Sequence, residues 1–224
     1  MTDGGDDTPI LSMRRYAIIA AAAIGGLAIG LAGVYGIAGL GRNASASECR
    51  STREIARHVA PLARGEVAAV VIADDPQKLP PVTFIDAAGA TKSLVDWHGR
   101  TVLLNLWATW CVPCRKEMPA LNALQARLGG ADFEVIAVNI DTRDTAKPRT
   151  WLNDTGINRL SYFADPNAKI FQELKAAGKV VGMPTTLLID PAGCEIATVA
   201  GPAEWASDDA VKLVQTAIAQ GKVE

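Results

Sequence analysis

Hydrophobic and polar positions alternate along this chain in three distinct ways, and each predicts a different kind of element. Residues 16–41 carry no charge over 26 positions. At about 1.5 Å per residue a helix of that length spans roughly 39 Å, more than a hydrocarbon core of about 30 Å, so the pattern predicts a tilted or end-frayed transmembrane anchor. In residues 49–62, Ile55, Val59 and Leu62 recur at helical spacing and predict an amphipathic helix. Residues 101–107 and 133–140 are near-continuous apolar runs of strand length, the pattern of strands covered on both faces. A helix over residues 111–127 follows the first run, and residues 147–154 and 167–175 read as two more.

Turn chemistry places the remaining elements. Residues 82–85, a turn at 86–89 and residues 93–97 predict a hairpin, or a strand followed by a short helix. Residues 185–190, a Pro191-Ala192-Gly193 turn and residues 195–199 predict a second hairpin. Ser207 is placed to cap a last helix whose first turn holds Asp208 and Asp209. Strand–helix–strand, then a hairpin and a closing helix, implies an α/β domain: a central mixed sheet flanked by helices. The expected organisation is a short cytoplasmic terminus (1–15), the anchor (16–41), a tether and N-terminal helical extension (42–78), and the main domain (79–224).

Charge orients the anchor and excludes some functions. Arg14 and Arg15 precede the span and only Arg42 follows it closely, so the positive-inside rule exports the bulk of the protein. A cleaved signal peptide is the competing reading, supported by Ala44-Ser45-Ala46, but its apolar region is usually about 7–15 residues. Gly26 and Gly30 form a GxxxG pair that permits close helix packing, although such spacings arise easily in a Gly/Ala-rich segment. The 22 Lys and Arg against 24 Asp and Glu leave a formal charge of −2, which argues against a broad nucleic-acid surface. Two histidines argue against a His-rich metal site, and four cysteines are too few for a small disulfide framework.

The chemistry sits in Cys111-Val112-Pro113-Cys114, where a buried strand passes into a helix. Unpaired backbone N–H groups and the helix dipole there stabilise a thiolate and lower the Cys111 pKa from about 8.5. Pro113 lacks an N–H, which costs little in a first helical turn. Cys111 is then the attacking sulfur and Cys114 the resolving one. A zinc half-site is the alternative for such a pair, but zinc needs two further ligands and no second CxxC or HxxxH is present.

These residues also carry a family resemblance. WATWCVPCRKEMP, followed later by GMPTTLLID, resembles the thioredoxin superfamily. More narrowly, FEVIAVNIDTRD, GCEIATVAGPAEWAS and an early Cys49 resemble the membrane-anchored TlpA/ResA/CcmG group of bacterial thiol–disulfide oxidoreductases. The resemblance implies a thioredoxin fold with an N-terminal extension, no cofactor, and a location on the inner membrane with the domain in the periplasm. It implies reduction of disulfide-containing periplasmic partners in cytochrome biogenesis, with assembly of the cytochrome oxidase copper site as one version. Re-reduction by a membrane electron conduit of the DsbD or CcdA type is implied likewise.

Individual positions follow from the same resemblance. Met183-Pro184 matches the family's cis-proline beside the cysteines, and Trp110, Val112, Pro113, Met183 and Pro184 are the expected substrate-contacting residues. Pro119 should kink the active-site helix. Glu117, three residues after Cys114, matches an acidic position tied to proton handling; an ordinary solvated glutamate beside Arg115 and Lys116 is the alternative. Asn105 stands where thioredoxin proper has a buried aspartate, so the acceptor of the Cys114 proton is open between Glu117 and water. Trp107 is expected to pack, and His58 and His98 are read as structural or surface residues. Cys49 and Cys194 are a leftover even pair in an exported protein, which suggests a disulfide; the resemblance implies the same pairing, with two unpaired buried cysteines as the alternative. The function of another class is Cu(I) carriage by Cys111 and Cys114, since soft thiolates favour that ion.

Overall fold

The computed structural model describes residues 49–222. The expected anchor and the residues flanking it up to 48 lie outside them. Among the described residues no helix is long and apolar enough to cross a membrane.

The elements run α1 (Arg50–Val59), β1 (Val71–Ile72), β2 (Thr83–Ile85), β3 (Thr91–Ser93), β4 (Thr101–Trp107), α2 (Val112–Leu128), β5 (Phe133–Asn139) and α3 (Lys147–Asp154). They continue with β6 (Phe163–Ala164), α4 (Lys169–Ala176), β7 (Thr185–Ile189), β8 (Glu195–Ala200) and α5 (Asp208–Gly221). The eight strands form one mixed sheet in the order β1-β8-β7-β4-β5-β6-β2-β3. β4 pairs in parallel with β5 and antiparallel with β7. Helices cover this sheet: α2 lies against β5, α5 against β4, and α1 against both β8 and α5.

The apolar runs account for the centre. All seven residues of β4 are buried, and Leu103 and Leu104 are wholly inaccessible. Burying each such leucine contributes about 1.5–3 kcal/mol, so this strand sits in the middle of the sheet and its register is strongly specified. α5 starts as expected: the Ser207 side chain accepts a hydrogen bond from the Ala210 N–H, with Asp208 and Asp209 in the first turn. Residues 82–97 combine both expected alternatives, since the β2–β3 hairpin leads directly into a 3-10 turn at Leu94–Trp97. The two-residue strands β1 and β6 were beyond periodicity, which needs four or more residues to register.

The N-terminal segment is fastened to the domain at several points. Cys49 and Cys194 are disulfide-bonded across 145 positions, with Cα atoms 5.7 Å apart. Beside this bond the Thr52 hydroxyl donates to the Asp190 carboxylate at 2.5 Å. The other Asp190 oxygen accepts from the Ala192 and Cys194 N–H groups and holds the β7–β8 turn. Gly193 takes φ +86° in that turn, a conformation costly for any side-chain-bearing residue. β1 pairs antiparallel with β8, so the expected extension contributes an edge strand to the sheet.

Replacing both Cys49 and Cys194 with alanine should lower stability by about 2–5 kcal/mol, the range seen when a native disulfide closing a long loop is lost. Urea unfolding of the oxidised protein and the double variant measures this. Equal midpoints would show that the bond contributes nothing.

Candidate active site

β4 delivers the chain to the redox pair. After Trp107 the segment 108–110 turns, and the Cys111 N–H donates to the Ala108 carbonyl at 3.1 Å. Cys111 takes extended dihedrals, φ −85° and ψ 103°, as the N-cap of α2. An N-cap residue in that region can swing its side chain back over the first turn, and the Cys111 sulfur accepts from the Cys114 N–H at 3.2 Å. Pro113 stands in this first turn, as expected, and Cys111 and Cys114 are disulfide-bonded with Cα atoms 5.3 Å apart. Cys114 is wholly buried and Cys111 is 5 % exposed, so what access the pair has is through Cys111.

Neighbouring strand ends complete the surroundings. Register pairs Trp107 with Asn139 of β5 and Leu106 with Thr185 of β7. The end of β5 and the Met183–Pro184 peptide preceding β7 therefore flank the end of β4 on opposite sides. Met183–Pro184 is cis, Met183 is half-buried, and Trp110 and Val112 are exposed. Trp107 is buried, with its ring 5.4 Å from that of Trp151. Asp141, just beyond β5, ties down the approach to Cys111: its carboxylate accepts from the Thr109 N–H and hydroxyl and from the Asn139 side chain. That clamp escaped the sequence reading; a lone aspartate after an apolar run was its only trace.

Glu117 is where the structure decides between alternatives. It is 3 % exposed rather than solvated. One carboxylate oxygen accepts from the Trp205 indole N–H at 2.6 Å and the Ala203 N–H at 3.1 Å. The other accepts from the Asn105 amide at 3.2 Å. Burial pushes its pKa from 4.5 up to about 7, against the opposing effect of these three donors. Trp205 was not anticipated; its signal was a tryptophan within an otherwise small-residue loop.

Asn105 is wholly buried between Glu117 and Thr186, donating to both, while its own Oδ1 has no partner among the described residues. The side chain thus gives Glu117 a buried donor, whereas an ionised aspartate at the same position could not donate and would place two carboxylates together.

The remaining expected residues are placed by the elements that carry them. Pro119 is inside α2. His58 and His98 are exposed, and Cys49–Cys194 forms a separate bridge. Among the described residues no group of three or more His, Cys, Asp or Glu side chains could hold a metal ion.

Comparison with known proteins agrees with this geometry. The Redoxin family model matches residues 73–214. The thioredoxin-like protein YneN of Bacillus subtilis is 32% identical over 123 residues, 52% of this chain and 66% of that protein. The thiol-disulfide oxidoreductase ResA of Bacillus anthracis is 32% identical over 125 residues, 56% of this chain and 69% of that protein. A putative thiol:disulfide interchange protein DsbE from Chlorobium tepidum superimposes with a TM-score of 0.54 at 30% identity, covering 63% of this chain and 95% of that one.

The raised Glu117 pKa fixes a pH signature. Below about 4.5 the folded and unfolded states both hold the proton; between 4.5 and 7 only the folded state keeps it. Stability from this group is therefore full below 4.5 and is lost as pH rises through about 7, by an amount on the order of 3 kcal/mol. Glu117→Gln should remove that loss. Urea unfolding of both proteins from pH 4 to 9 measures the difference, and a pH-independent difference would contradict the raised pKa.

Proposed function

Since the chain belongs to the Redoxin family, and within it to the TlpA/ResA/CcmG type of thiol–disulfide oxidoreductases with a thioredoxin-like fold, we propose that it is a membrane-anchored dithiol reductant of partner-protein disulfides in the periplasm. The process it serves on this reading is cytochrome biogenesis, of the kind that readies the copper site of cytochrome oxidase. The observation that carries the reading is the Cys111 sulfur facing the Cys114 N–H at the start of α2. A thiolate in that place gains a charge-assisted hydrogen bond and the positive end of the helix dipole.

In the reduced protein the Cys111 thiolate attacks one sulfur of a partner disulfide. The partner's S–S bond breaks, its other sulfur leaves as a thiolate, and a mixed disulfide links the two proteins. Cys114 then loses its proton and attacks the Cys111 sulfur. The mixed disulfide breaks, the partner leaves with both sulfurs reduced, and two electrons have passed to it. Cys111–Cys114 ends as the disulfide present in the structure. Glu117, one turn beyond Cys114 and titrating near neutrality, is suited to take the Cys114 proton, because a base works best when its pKa lies close to the working pH. A membrane donor of the DsbD or CcdA type restores the dithiol.

The cysteine variants separate the two roles. Cys111→Ser should abolish reduction of a protein disulfide, and Cys114→Ser should accumulate the mixed disulfide, visible on non-reducing gels. Full activity in Cys111→Ser overturns the mechanism. Mild reductant should release two thiols, mapping to Cys111 and Cys114, while Cys49 and Cys194 remain bonded; labelling at all four positions together would refute a division between redox and structural pairs.

A further inference from the structure

An open groove of about 560 Å³ begins at Thr109 and Trp110 and runs to Arg143 and Lys147, on the β5 side of the redox pair. Trp110 is bonded to Cys111, so the groove starts within one residue, about 3.8 Å along the backbone, of the reacting sulfur's own residue. Its two carboxylates keep their charge but are held in place by uncharged donors. Asp141 is buried on Thr109 and Asn139, and Asp144 accepts from the Ala146 and Lys147 N–H groups.

Its cations are not engaged. Arg143 and Lys147 are exposed, and neither has a carboxylate within ion-pair distance among the described residues. The same holds for Arg115 and Lys116 in the early turns of α2. Set against Asp141 and Asp144, these four cations leave a formal surplus of two positive charges among the residues at the redox end, in a chain that carries −2 overall. Three of the five exposed large apolar residues among the described ones, Trp110, Val112 and Val181, belong to the segments around Cys111 and Met183.

We infer that this groove is a docking subsite for an acidic segment of the partner protein, one whose Asp or Glu side chains lie close in sequence to the disulfide being reduced. This rests on the reductant reading above. With the partner's sulfur over Cys111, its flanking apolar atoms cover Trp110 and Val112. An extended strand advances about 3.3 Å per residue, so a carboxylate two to four positions from the partner's cysteine lies roughly 7–13 Å along the strand from it, and Arg143 and Lys147 are the groove's cations for it to pair with. Charges at the rim of such an interface act chiefly on the association rate and on its salt dependence. The groove therefore selects among disulfides that the sulfur chemistry alone would treat alike.

The test compares two disulfide-bonded peptides that differ only in Asp or Asn at positions two to four residues from one cysteine. Each is reduced by the full chain in non-ionic detergent, and each rate is divided by that peptide's rate with dithiothreitol, which removes the effect of the substitution on intrinsic reactivity. The normalised rate should favour the Asp peptide by about tenfold at low salt, and the preference should shrink toward one at about 0.5 M salt. In Arg143→Gln/Lys147→Gln the preference should vanish. In Arg143→Glu/Lys147→Glu it should pass to a Lys-bearing peptide. Equal normalised rates in the unmodified chain, or a preference that survives the double substitution, overturn the subsite while leaving the reductant reading intact. Reduction of neither peptide, when dithiothreitol reduces both, overturns the reductant reading and this inference together.

Discussion

Complete burial of β4 is the constraint on which the rest of the site depends. A strand with seven buried residues has no face that tolerates a register slip, because a shift of one residue would carry its leucines away from their partners on both sides. Its end at Trp107 is therefore held in place, and with it the start of α2. The same ladder aligns the end of β5 and the beginning of β7 with that point. Three chain segments distant in sequence, around Cys111, Asp141 and Met183–Pro184, meet at one end of the sheet for this reason. Catalytic geometry here follows from core packing, and loops alone would not maintain it.

Glu117 shows two opposing effects in one residue. Desolvation favours the neutral acid, while the Trp205, Ala203 and Asn105 donors favour the carboxylate, and burial prevails enough to bring the group near pH 7. Without those donors the carboxyl would titrate higher still; without burial it would remain ionised and be a poor proton acceptor. The hydrogen bonds also join α2 to the loop between β8 and α5, so one buried titratable side chain also fixes the placement of that helix. An asparagine at position 105 suits such a neighbour because its amide donates to the carboxyl without adding a second negative charge.

Much of this was legible in the residues because the signals were local. Continuous apolar runs gave β4 and β5, the CxxC at a strand–helix junction gave the redox pair, and Ser207 with its following aspartates gave the start of α5. What escaped was non-local or too short for a period. Val71–Ile72 becomes a strand only because the edge of β8 is open to it. Phe163–Ala164 becomes one only by bridging β5 and β2. Whether Glu117 faced water or the interior depended on Trp205, 88 positions away, and no helical spacing reports that. The Asp141 clamp on Thr109 is of the same kind, a contact created by the register of two strands.

The two disulfides make a finer point about what activates a cysteine. Burial does not separate them: Cys49, Cys194, Cys111 and Cys114 are all at most 5 % exposed. Position at a helix start does not separate them either, because Cys49 is the N-cap of α1 as Cys111 is of α2. The difference lies in the backbone. Cys111 has the extended dihedrals that turn its sulfur back onto the N–H of Cys114, whereas Cys49, at φ −102° and ψ 25°, makes no side-chain cap hydrogen bond. A thiolate at position 111 would find a donor already aimed at it, and one at position 49 would not. Cys49 is tied instead to a turn held rigid by Asp190 and Gly193, with α1 packed above it. The backbone at the N-cap, more than depth or proximity to a helix, is what distinguishes the surroundings of the two cysteine pairs.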